Sequence, residues 1–444
     1  MSIRLIICIL FIPIIAFAQP KDHHVYVLGN LCDEGSLSFI YERLDLEIDT
    51  EIPSTILING DITSSSVSTI SGEYEWNNFV EFVSHFKNQK NLKIVVLAGD
   101  RDWNDNNPEG LSAVQLLEEK MDKFIANNEF DNLKYLTTSG CPGPFTIDLN
   151  RYTKLIALNT QWWNHIYEKP LVFNSDCPYI NNTDIINEIQ NIISSSDNQN
   201  ILIAGHHPIL SNGNYGGRYS WKDNAFPYPF FSLIRNSYHA NVGGSYDLAN
   251  PRLKLFGDLL FDLLFYKNSM IYASSHEKNQ QILSIEDNIF INSGNLTKGE
   301  FAPSSSNSLI NSSKGGIIMI KYKKDGEVSS SFIPTYELKN TENTLFESAC
   351  NPQDTSETEA IFNTSYIPCV LFSPSNDTLT GLDSIYRKIG YGYRSNIIER
   401  IFLGAHHRKI WNSEIAVPVL NINPRNYDFK PYAGEFTGQT NTLK

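Results

Sequence analysis

The chain has 444 residues, of which 35 are Lys or Arg and 49 are Asp or Glu, so its formal net charge is −14. This length allows one large domain or two ordinary ones, with ample material for a core. The acidic balance argues against nucleic-acid binding, because no basic stripe is available to release counterions from phosphates.

The first 18 residues have the pattern of a signal peptide. Arg4 supplies a positive end, residues 5–17 form an apolar run, and Ala-Phe-Ala at residues 16–18 is a small-x-small cleavage site. The run is too short to span a bilayer, and polar residues follow it. We therefore expect residues 1–18 to be removed and the protein to be exported, either to the periplasm or to the cell surface.

Export permits disulfide bonds. Two pairings are open, Cys141–Cys177 and Cys350–Cys369, and the odd number of cysteines that remains after cleavage leaves one over. Their spacings match no zinc motif.

Short apolar strands alternate with amphipathic helices along residues 19–335. This alternation predicts an α/β domain whose strands are largely buried. The predicted strands are His24–Gly29, Thr55–Gly60, Lys93–Gly99, Leu155–Asn159, Ile201–Gly205, Met270–Ala273, Ile289–Asn292 and Gly316–Tyr322. The predicted helices are Ser36–Leu46, Asn77–Asn88, Ser112–Asn127, Asp184–Ser194 and Leu253–Tyr266.

The composition changes near residue 336. Residues 336–382 are rich in Asn, Thr, Ser, Glu and Pro, which predicts a linker or an irregular extension. Residues 383–444 regain an apolar rhythm, and "IAVPVLNI" within them is predicted to be a strand. We treat them as a separate C-terminal segment.

Polar residues follow several of the predicted strands, at the point where each strand ends. In α/β sheets, ligands bind in the crevice beyond the carboxyl ends of the strands. Carboxylates and histidines at this edge therefore point to a functional site. In chain order the sequences at the strand ends are "GNLC" at 29–32, "NGD" at 59–61, "GDRDW" at 99–103, "GHHP" at 205–208 and "SSHEKN" at 274–279.

The order of these motifs resembles that of the calcineurin-like metallophosphoesterases, a family that includes the purple acid phosphatases. The family's usual blocks are an Asp after the first strand, Gly-Asp, Gly-Asn-His-Asp/Glu, a His block often written His-His-Pro, and Gly-His-x-His. The resemblance covers roughly residues 25–322. It implies a four-layer sandwich of two mixed β-sheets flanked by helices, followed here by the irregular C-terminal extension.

The family holds two metal ions bridged by one carboxylate, which polarise a phosphoryl group and lower the pKa of an attacking water. The resemblance places Asp61 at the bridging position and Asp100 where an Asn binds the second metal. It places His206 and His276 where that same metal takes its two imidazoles. These four ligands imply one divalent transition metal: zinc, manganese or iron.

The ligands of the other metal are replaced in this sequence. Asn30 stands where the family has an Asp, and Cys32 lies where a further ligand often occurs. Lys278 replaces the last His of Gly-His-x-His, and a charged ammonium group has no lone pair with which to bind a cation. The resemblance therefore implies a degraded site in which a second metal does not bind.

Arg101 replaces the His that the family uses beside the leaving group. Arginine, with a pKa above about 12, is a poor general acid, but its guanidinium group is a good fork for phosphate oxygens. We expect Arg101 to hold the phosphate of a phosphate-containing ligand, with Lys278 adding a positive charge. An alternative remains open: Asp100, Arg101 and Asp102 form an ion-pair cluster that caps the next helix, with Asp102 or Asn104 as N-cap.

The C-terminal segment offers a second resemblance. "ERIFLGAHHRKIWNSEIAVPVLNI" is similar to the stretch that precedes the barrel in large exported bacterial proteins, where a phosphoesterase-like domain is joined to an outer-membrane barrel of the Omp85 type. The matching residues are Leu403, Gly404, Arg408, Trp411 and Val-Pro-Val-Leu at 417–420. This implies that residues 383–444 are a pre-barrel or docking region, with outer-membrane barrel or assembly proteins as partners.

Two functions remain open, so whether the protein is an enzyme is undecided. The first is an exported binding or scaffolding protein, associated with the bacterial outer membrane or its assembly machinery. Asn30, Arg101 and Lys278 favour it. The second is a phosphoric-ester hydrolase that uses one metal ion, which the His206 and His276 pair favours.

Overall fold

The computed structural model describes residues 22–196, 199–220, 223–224, 229–266, 269–297, 299–324 and 326–335. The predicted signal peptide, linker and C-terminal segment, with the Cys350–Cys369 pairing, lie outside these residues. Among the described residues, no helix combines the length and the apolar character needed to cross a membrane.

The described residues form thirteen strands. In chain order these are β1 His23–Leu28, β2 Ser54–Asn59, β3 Leu92–Leu97, β4 Leu133–Tyr135, β5 Phe145–Asn150, β6 Thr153–Leu158, β7 Asn200–Gly205, β8 Ile271–Ser274, β9 Gln280–Ile285, β10 Asn288–Ser293, β11 Ser308–Ser312, β12 Gly316–Tyr322 and β13 Val328–Pro334.

Seven α-helices and one short 3₁₀ helix accompany the strands in the described part of the chain. The 3₁₀ helix is Leu31–Asp33, and the α-helices are α1 Ser38–Glu47, α2 Ile70–His85, α3 Gly110–Asn127, α4 Gln161–Asn164, α5 Asn182–Ser194, α6 Pro229–Asn241 and α7 Pro251–Tyr266. The start of α5 illustrates how local sequence sets these bounds. Asn181 and Asp184 form a capping box, and Ile185, Ile189 and Ile193 then recur at helical spacing on the buried face.

The strands form two mixed sheets. The first has the order β13-β12-β1-β2-β3-β4, with β1 to β4 parallel and β12 and β13 antiparallel to their neighbours. The second has the order β11-β9-β10-β8-β7-β6-β5, with β6, β7, β8 and β10 parallel. The parallel strands at the centre of both sheets bring their carboxyl ends to one edge, where ligands bind in such folds.

Alternate residues of the strands face two different layers. In β1, Val25 and Val27 belong to the core between the two sheets, together with residues such as Leu202 and Ala204 of β7. Tyr26 and Leu28, which alternate with them, belong to a second core that includes residues of α1 and α2. A third core packs α5 and α7 against the outer face of the second sheet. The result is helix, sheet, sheet, helix, which confirms the predicted four-layer sandwich.

The eight predicted strands and five predicted helices are present, with shifted ends. The largest shift is in α2, which begins at Ile70, seven residues earlier than expected, because the Thr69 side chain accepts a hydrogen bond from the main-chain N–H of Gly72 at 3.0 Å and caps the helix. The pattern did not predict β4, β5, β9, β11, β13, α4 and α6.

One of the two open disulfide pairings is present. Cys141 and Cys177 are bonded, with their Cα atoms 5.7 Å apart, and the bond closes a loop with a sequence separation of 36 residues. Cys32 is a free cysteine.

Candidate metal and anion site

The loops after β2 and β3 touch at the carboxyl edge of the first sheet. Asp61 has a left-handed backbone, with φ of 57°, and follows Gly60, with φ of 89°. Gly99 packs directly against Asp61, since a Cβ on Gly99 would lie 2.1 Å from Asp61 Oδ1. A glycine at position 99 is therefore required for the close approach of the two loops.

Asp102 holds these loops together. Its buried carboxylate accepts main-chain hydrogen bonds from Gly99 at 2.8 Å, Asp61 at 2.9 Å, and Ile62 and Thr63 at 3.0 Å each. The alternative in which Asp102 or Asn104 caps the following helix is therefore wrong. Helix α3 begins at Gly110, and no side chain caps it.

Asp100, His206 and His276 form a buried cluster whose ligand atoms all lie within 4.8 Å of one another. Asp100 Oδ1 is 2.8 Å from His206 Nε2 and 3.3 Å from His276 Nδ1. The structure thus brings together side chains from the ends of β3, β7 and β8, as the resemblance implied.

The other ring nitrogens of the two histidines are bound to main-chain carbonyls. His206 Nδ1 donates to the carbonyl of Asn59 at 2.7 Å, and His276 Nε2 to that of Tyr246 at 3.2 Å. Each imidazole therefore directs its remaining nitrogen towards Asp100. Outer contacts of this kind fix the tautomer of histidines that bind metals, so these residues suit a divalent transition metal. Such an ion would polarise a phosphoryl oxygen when bound.

Without a metal, the cluster is an ion pair. Burial by itself lowers the pKa of His206, but the negative charge of Asp61 and the hydrogen bond to Asp100 raise this pKa to about 9. Burial by itself raises the pKa of Asp100, but the positive charge of His276 and the hydrogen bonds of both histidines hold it well below its usual range. Because a ligating histidine must be neutral, metal binding here would displace a proton.

Asp61, predicted as the bridging carboxylate, lies beside the cluster rather than within it. Its Oδ1 is 3.5 Å from His206 Nε2 and accepts a hydrogen bond from the main-chain N–H of Arg101 at 3.1 Å. Its Oδ2 is 3.5 Å from Arg101 Nε. Asp61 therefore connects the histidine cluster to Arg101.

Asn30, at the position of the family's missing Asp, is bound to the main chain. Its Nδ2 donates to the carbonyls of Ser275 at 3.1 Å and Gly294 at 2.7 Å. A carboxylate at position 30 would face the same two carbonyl oxygens and be repelled by them. The amide therefore joins the first sheet to the second at a place where the family has a metal ligand.

Arg101, Lys278 and Asp33 occupy the rim next to Asn30. Arg101 Nη1 is 2.5 Å from Asp33 Oδ1, and Lys278 Nζ is 3.2 Å from Asp33 Oδ2. Arg101 Nη1 also lies 3.1 Å from Cys32 Sγ, and burial raises the pKa of the Cys32 thiol well above its usual value. Two cations and a protonated thiol do not suit a metal ion, so the residues present do not fit the family's first metal.

Aromatic rings and a buried acid support His276 from the outside. The Tyr215 ring stacks on His276 with centroids 4.6 Å apart, and Tyr246 is parallel to it at 5.9 Å. Glu277 accepts hydrogen bonds from the hydroxyl of Ser211 at 2.7 Å and the main-chain N–H of Tyr215 at 3.2 Å. These contacts fix the loop 211–217 beside the cluster.

Sequence reasoning did not identify several members of this site. Asp33 lies outside every family block, and the acceptor role of Asp102 could not be read from its neighbours. Tyr215 stands in "NGNYGG", which indicated either a flexible lip over the pocket or an ordinary loop but gave no role to the tyrosine. His207, the second residue of the His-His-Pro block, does not join the cluster, because its Nδ1 binds Thr160 Oγ1 at 2.9 Å.

Comparisons with known proteins identify the family. The family model of the calcineurin-like phosphoesterases matches residues 20–241, half of the chain. No curated protein sequence matched significantly.

Similar solved structures include "GAP50 the anchor in the inner membrane complex of Plasmodium", with 18% identity, a TM-score of 0.43, and 71% of this chain and 86% of that chain covered. The purple acid phosphatase PPD1 of yellow lupin (Lupinus luteus) has 10% identity and a TM-score of 0.43, with 73% of this chain and 53% of the lupin chain covered. PhoD has 9% identity and a TM-score of 0.44, with 71% and 69% covered. At these scores the three structures add nothing to what the family model shows. Because the family model matches half of the chain, the chain belongs to the calcineurin-like phosphoesterase family.

Proposed function

We propose that this protein is an exported binding or scaffolding member of the family, in which the two-metal centre is degraded and phosphate esters are not turned over. One observation supports the proposal: the side chains at the positions of the family's first-metal ligands are bound to other groups of the chain. Asn30 uses its amide to bind two main-chain carbonyls, and the Arg101–Asp33–Lys278 ion pairs cover the adjacent rim.

The chemistry of the family explains why a change at the first metal position would affect turnover. Two metal ions in such centres stabilise both the attacking and the leaving oxygen of an in-line displacement. With one position closed, at most the cluster of Asp100, His206 and His276 remains for a metal. Arg101, at the position of the family's histidine, stays protonated beside Asp61 and Asp33 and cannot act as a proton donor at neutral pH.

Metal content and turnover test this proposal together. The purified protein is dialysed against zinc or manganese, its metal is counted by mass spectrometry, and its hydrolysis of p-nitrophenyl phosphate is measured. We expect no more than one metal per chain, and no turnover above that of His206→Ala. His239→Ala, a partly exposed histidine on α6, is the matched control and should bind metal as the unaltered protein does. Two metals per chain, or turnover that His206→Ala abolishes, would refute the proposal.

The alternative function, a phosphoric-ester hydrolase with one metal, is favoured by the orientation of His206 and His276. One ring nitrogen of each contacts a main-chain carbonyl, and the other faces Asp100. Under it, Arg101 holds the phosphate and the metal polarises the phosphoryl oxygen. It predicts one metal per chain with turnover that depends on His206, so the same experiment separates the two functions.

Association with the outer membrane is part of the proposal. Its support is the sequence of residues 383–444, which is similar to the segment preceding an Omp85-type barrel. The Cys141–Cys177 disulfide agrees with an oxidising compartment. Cell fractionation tests it: we expect the protein in the outer-membrane fraction, together with barrel or assembly proteins. A monodisperse protein without partners in the soluble fraction would contradict the association.

A further inference from the structure

Helix α6 has apolar residues on its solvent side. Ile234, Tyr238 and Val242, which recur at every fourth position, are 52%, 51% and 53% exposed. The main chain keeps helical spacing up to Val242, because its N–H donates to the carbonyl of Tyr238 at 2.8 Å. A surface helix normally turns such a stripe towards the core. The apolar stripe of α6 faces outwards instead.

The buried side of α6 consists of small and polar residues. Ser232, Asn236 and Ala240 are buried, and they are offset from the apolar stripe by two residues, which is about 200° around the helix axis. Asn236 Nδ2 donates to the carbonyl of Asp223 at 3.1 Å and to Asn224 Oδ1 at 3.0 Å. These hydrogen bonds fix the side of the helix that faces the domain, so the apolar stripe is left for another occupant.

We propose that the apolar stripe of α6, formed by Ile234, Tyr238 and Val242, is the docking site of residues 366–372 of the same chain. Their sequence is "YIPCVLF", an uninterrupted run of seven apolar residues that lies outside the described part of the chain. The docking goes beyond the proposed function, since it depends on neither metal binding nor turnover.

The chain leaves the described domain at the edge where α6 lies. Strand β13 is antiparallel to β12, which is antiparallel to β1, so β13 and the following Thr335 reach the carboxyl edge of the first sheet. Helix α6 follows β7, which ends at the carboxyl edge of the second sheet. His239 of α6 pairs with Asp247 at 2.7 Å. The neighbouring Tyr246 lies parallel to the ring of His276 in the cluster, which joins both carboxyl edges.

The connection between the domain and the apolar run is long enough to reach α6. Thirty residues, 336–365, separate Thr335 from the run. At about 3.3 Å per residue, they can span up to about 100 Å. A domain of this size has a radius of gyration of about 19 Å. The run can therefore reach any point of the carboxyl edge.

The size of the apolar stripe favours an occupant from the same chain. Three side chains that are each about half exposed offer on the order of 200 Å² for contact. A standard interface between separate proteins needs roughly 800 Å² on each partner, so this stripe is too small to hold a second copy. A segment joined to the domain is present at a high effective concentration, and a small contact is then sufficient.

The charges favour this occupant over a lipid surface. Helices that lie on membranes are rich in Lys and Arg, whereas Arg235 is the one Lys or Arg in residues 229–242. No acidic residue occurs in this range, and residues 336–365 contain six acidic residues against one basic residue. The charge of the connection is therefore opposite to that of α6, so that it is not repelled.

Hydroxyl-radical footprinting of the full chain tests the docking, because it measures the exposure of individual side chains. Tyr74 on α2 is the internal reference, since it is 57% exposed and Tyr238 is 51% exposed in the described domain. With residues 366–372 docked, we expect Tyr238 to be oxidised several-fold more slowly than Tyr74. Equal oxidation rates of the two tyrosines would overturn the inference.

Two substitutions in the apolar run should restore the exposure of Tyr238. Val370→Ser combined with Leu371→Ser removes two apolar side chains, and we expect the docking constant to fall about tenfold for each. Leu345→Ser combined with Phe346→Ser, between the domain and the run, is the matched control and should leave Tyr238 protected. Tyr238 that stays protected in the first pair, or becomes equally exposed in both, would contradict the assignment to residues 366–372.

Other occupants are distinguished by the conditions under which Tyr238 is protected. Protection that is the same at every protein concentration and without added lipid supports the docking of residues 366–372. Protection that appears only as the protein concentration is raised indicates a second copy. Protection that appears only with phosphatidylethanolamine vesicles indicates a lipid surface. Either of the last two results would refute the docking.

Discussion

Asp102→Ala tests whether one buried carboxylate organises the site. Four main-chain N–H groups, those of Gly99, Asp61, Ile62 and Thr63, lose their acceptor in this variant. A buried donor left without a partner costs about 1–3 kcal/mol. We therefore expect the free energy of unfolding to fall by at least about 4 kcal/mol, a large part of the 5–15 kcal/mol typical of folded domains.

Urea denaturation at neutral pH measures this loss. Asp148→Ala is the matched control, because Asp148 is 61% exposed and its ion pair with Lys154 is worth less than about 1 kcal/mol. The loss of unfolding free energy in Asp102→Asn should lie between those of Asp102→Ala and Asp148→Ala, since the amide group can accept only part of the hydrogen bonds. Zinc affinity should fall with stability, because the loops that carry Asp61 and Asp100 separate. A loss of less than about 1 kcal/mol in Asp102→Ala would refute the reasoning.

Three further predictions concern the surrounding structure. Gly99→Ala should destabilise the protein and weaken metal binding, because its Cβ would lie 2.1 Å from a carboxylate oxygen. Gly257→Ala in α7 should stabilise the protein by roughly 0.5–1 kcal/mol, because the nearest neighbour of its added Cβ would be 3.8 Å away. Equal changes in the free energy of unfolding for Gly99→Ala and Gly257→Ala, measured by urea denaturation, would contradict this prediction. Burial raises the pKa of Glu277 from 4.5 to about 7, so the folded chain binds this proton more tightly than the unfolded chain does. Stability should therefore fall as the pH rises from about 4.5 to about 7, and Glu277→Gln should remove this part of the fall. If the stability of Glu277→Gln depends on pH in the same way as that of the unaltered protein, the fall is not due to Glu277. Replacing Cys141 and Cys177 by Ala should lower the free energy of unfolding by about 3 to 4 kcal/mol, and unfolding curves that coincide with those of the unaltered protein would exclude this.

The positions of the histidine cluster could be predicted because they depend on local patterns. Apolar runs that end in Gly-Asp or Gly-His-His identify strands with polar residues at their carboxyl ends. The order of these runs indicates one shared edge. The resemblance to the family then assigned Asp100, His206 and His276 as ligands of one metal, and they lie together in the structure. The weaker elements, such as β13 with its run of serines, were missed because an edge strand needs no continuous apolar sequence.

The sequence by itself determined the α/β alternation and the strand ends that carry acids and histidines, and its resemblance to the family placed Asn30 and Lys278 where the family has metal ligands. Only the tertiary structure decided what the replacements do. Asn30 binds carbonyls of residues more than 240 positions away, and Lys278 meets Asp33 across a similar separation. No local pattern encodes such partners, because they meet only when the two sheets pack face to face. The packing of distant strand ends thus gives Asn30 and Lys278 the partners that they have at the rim of the site.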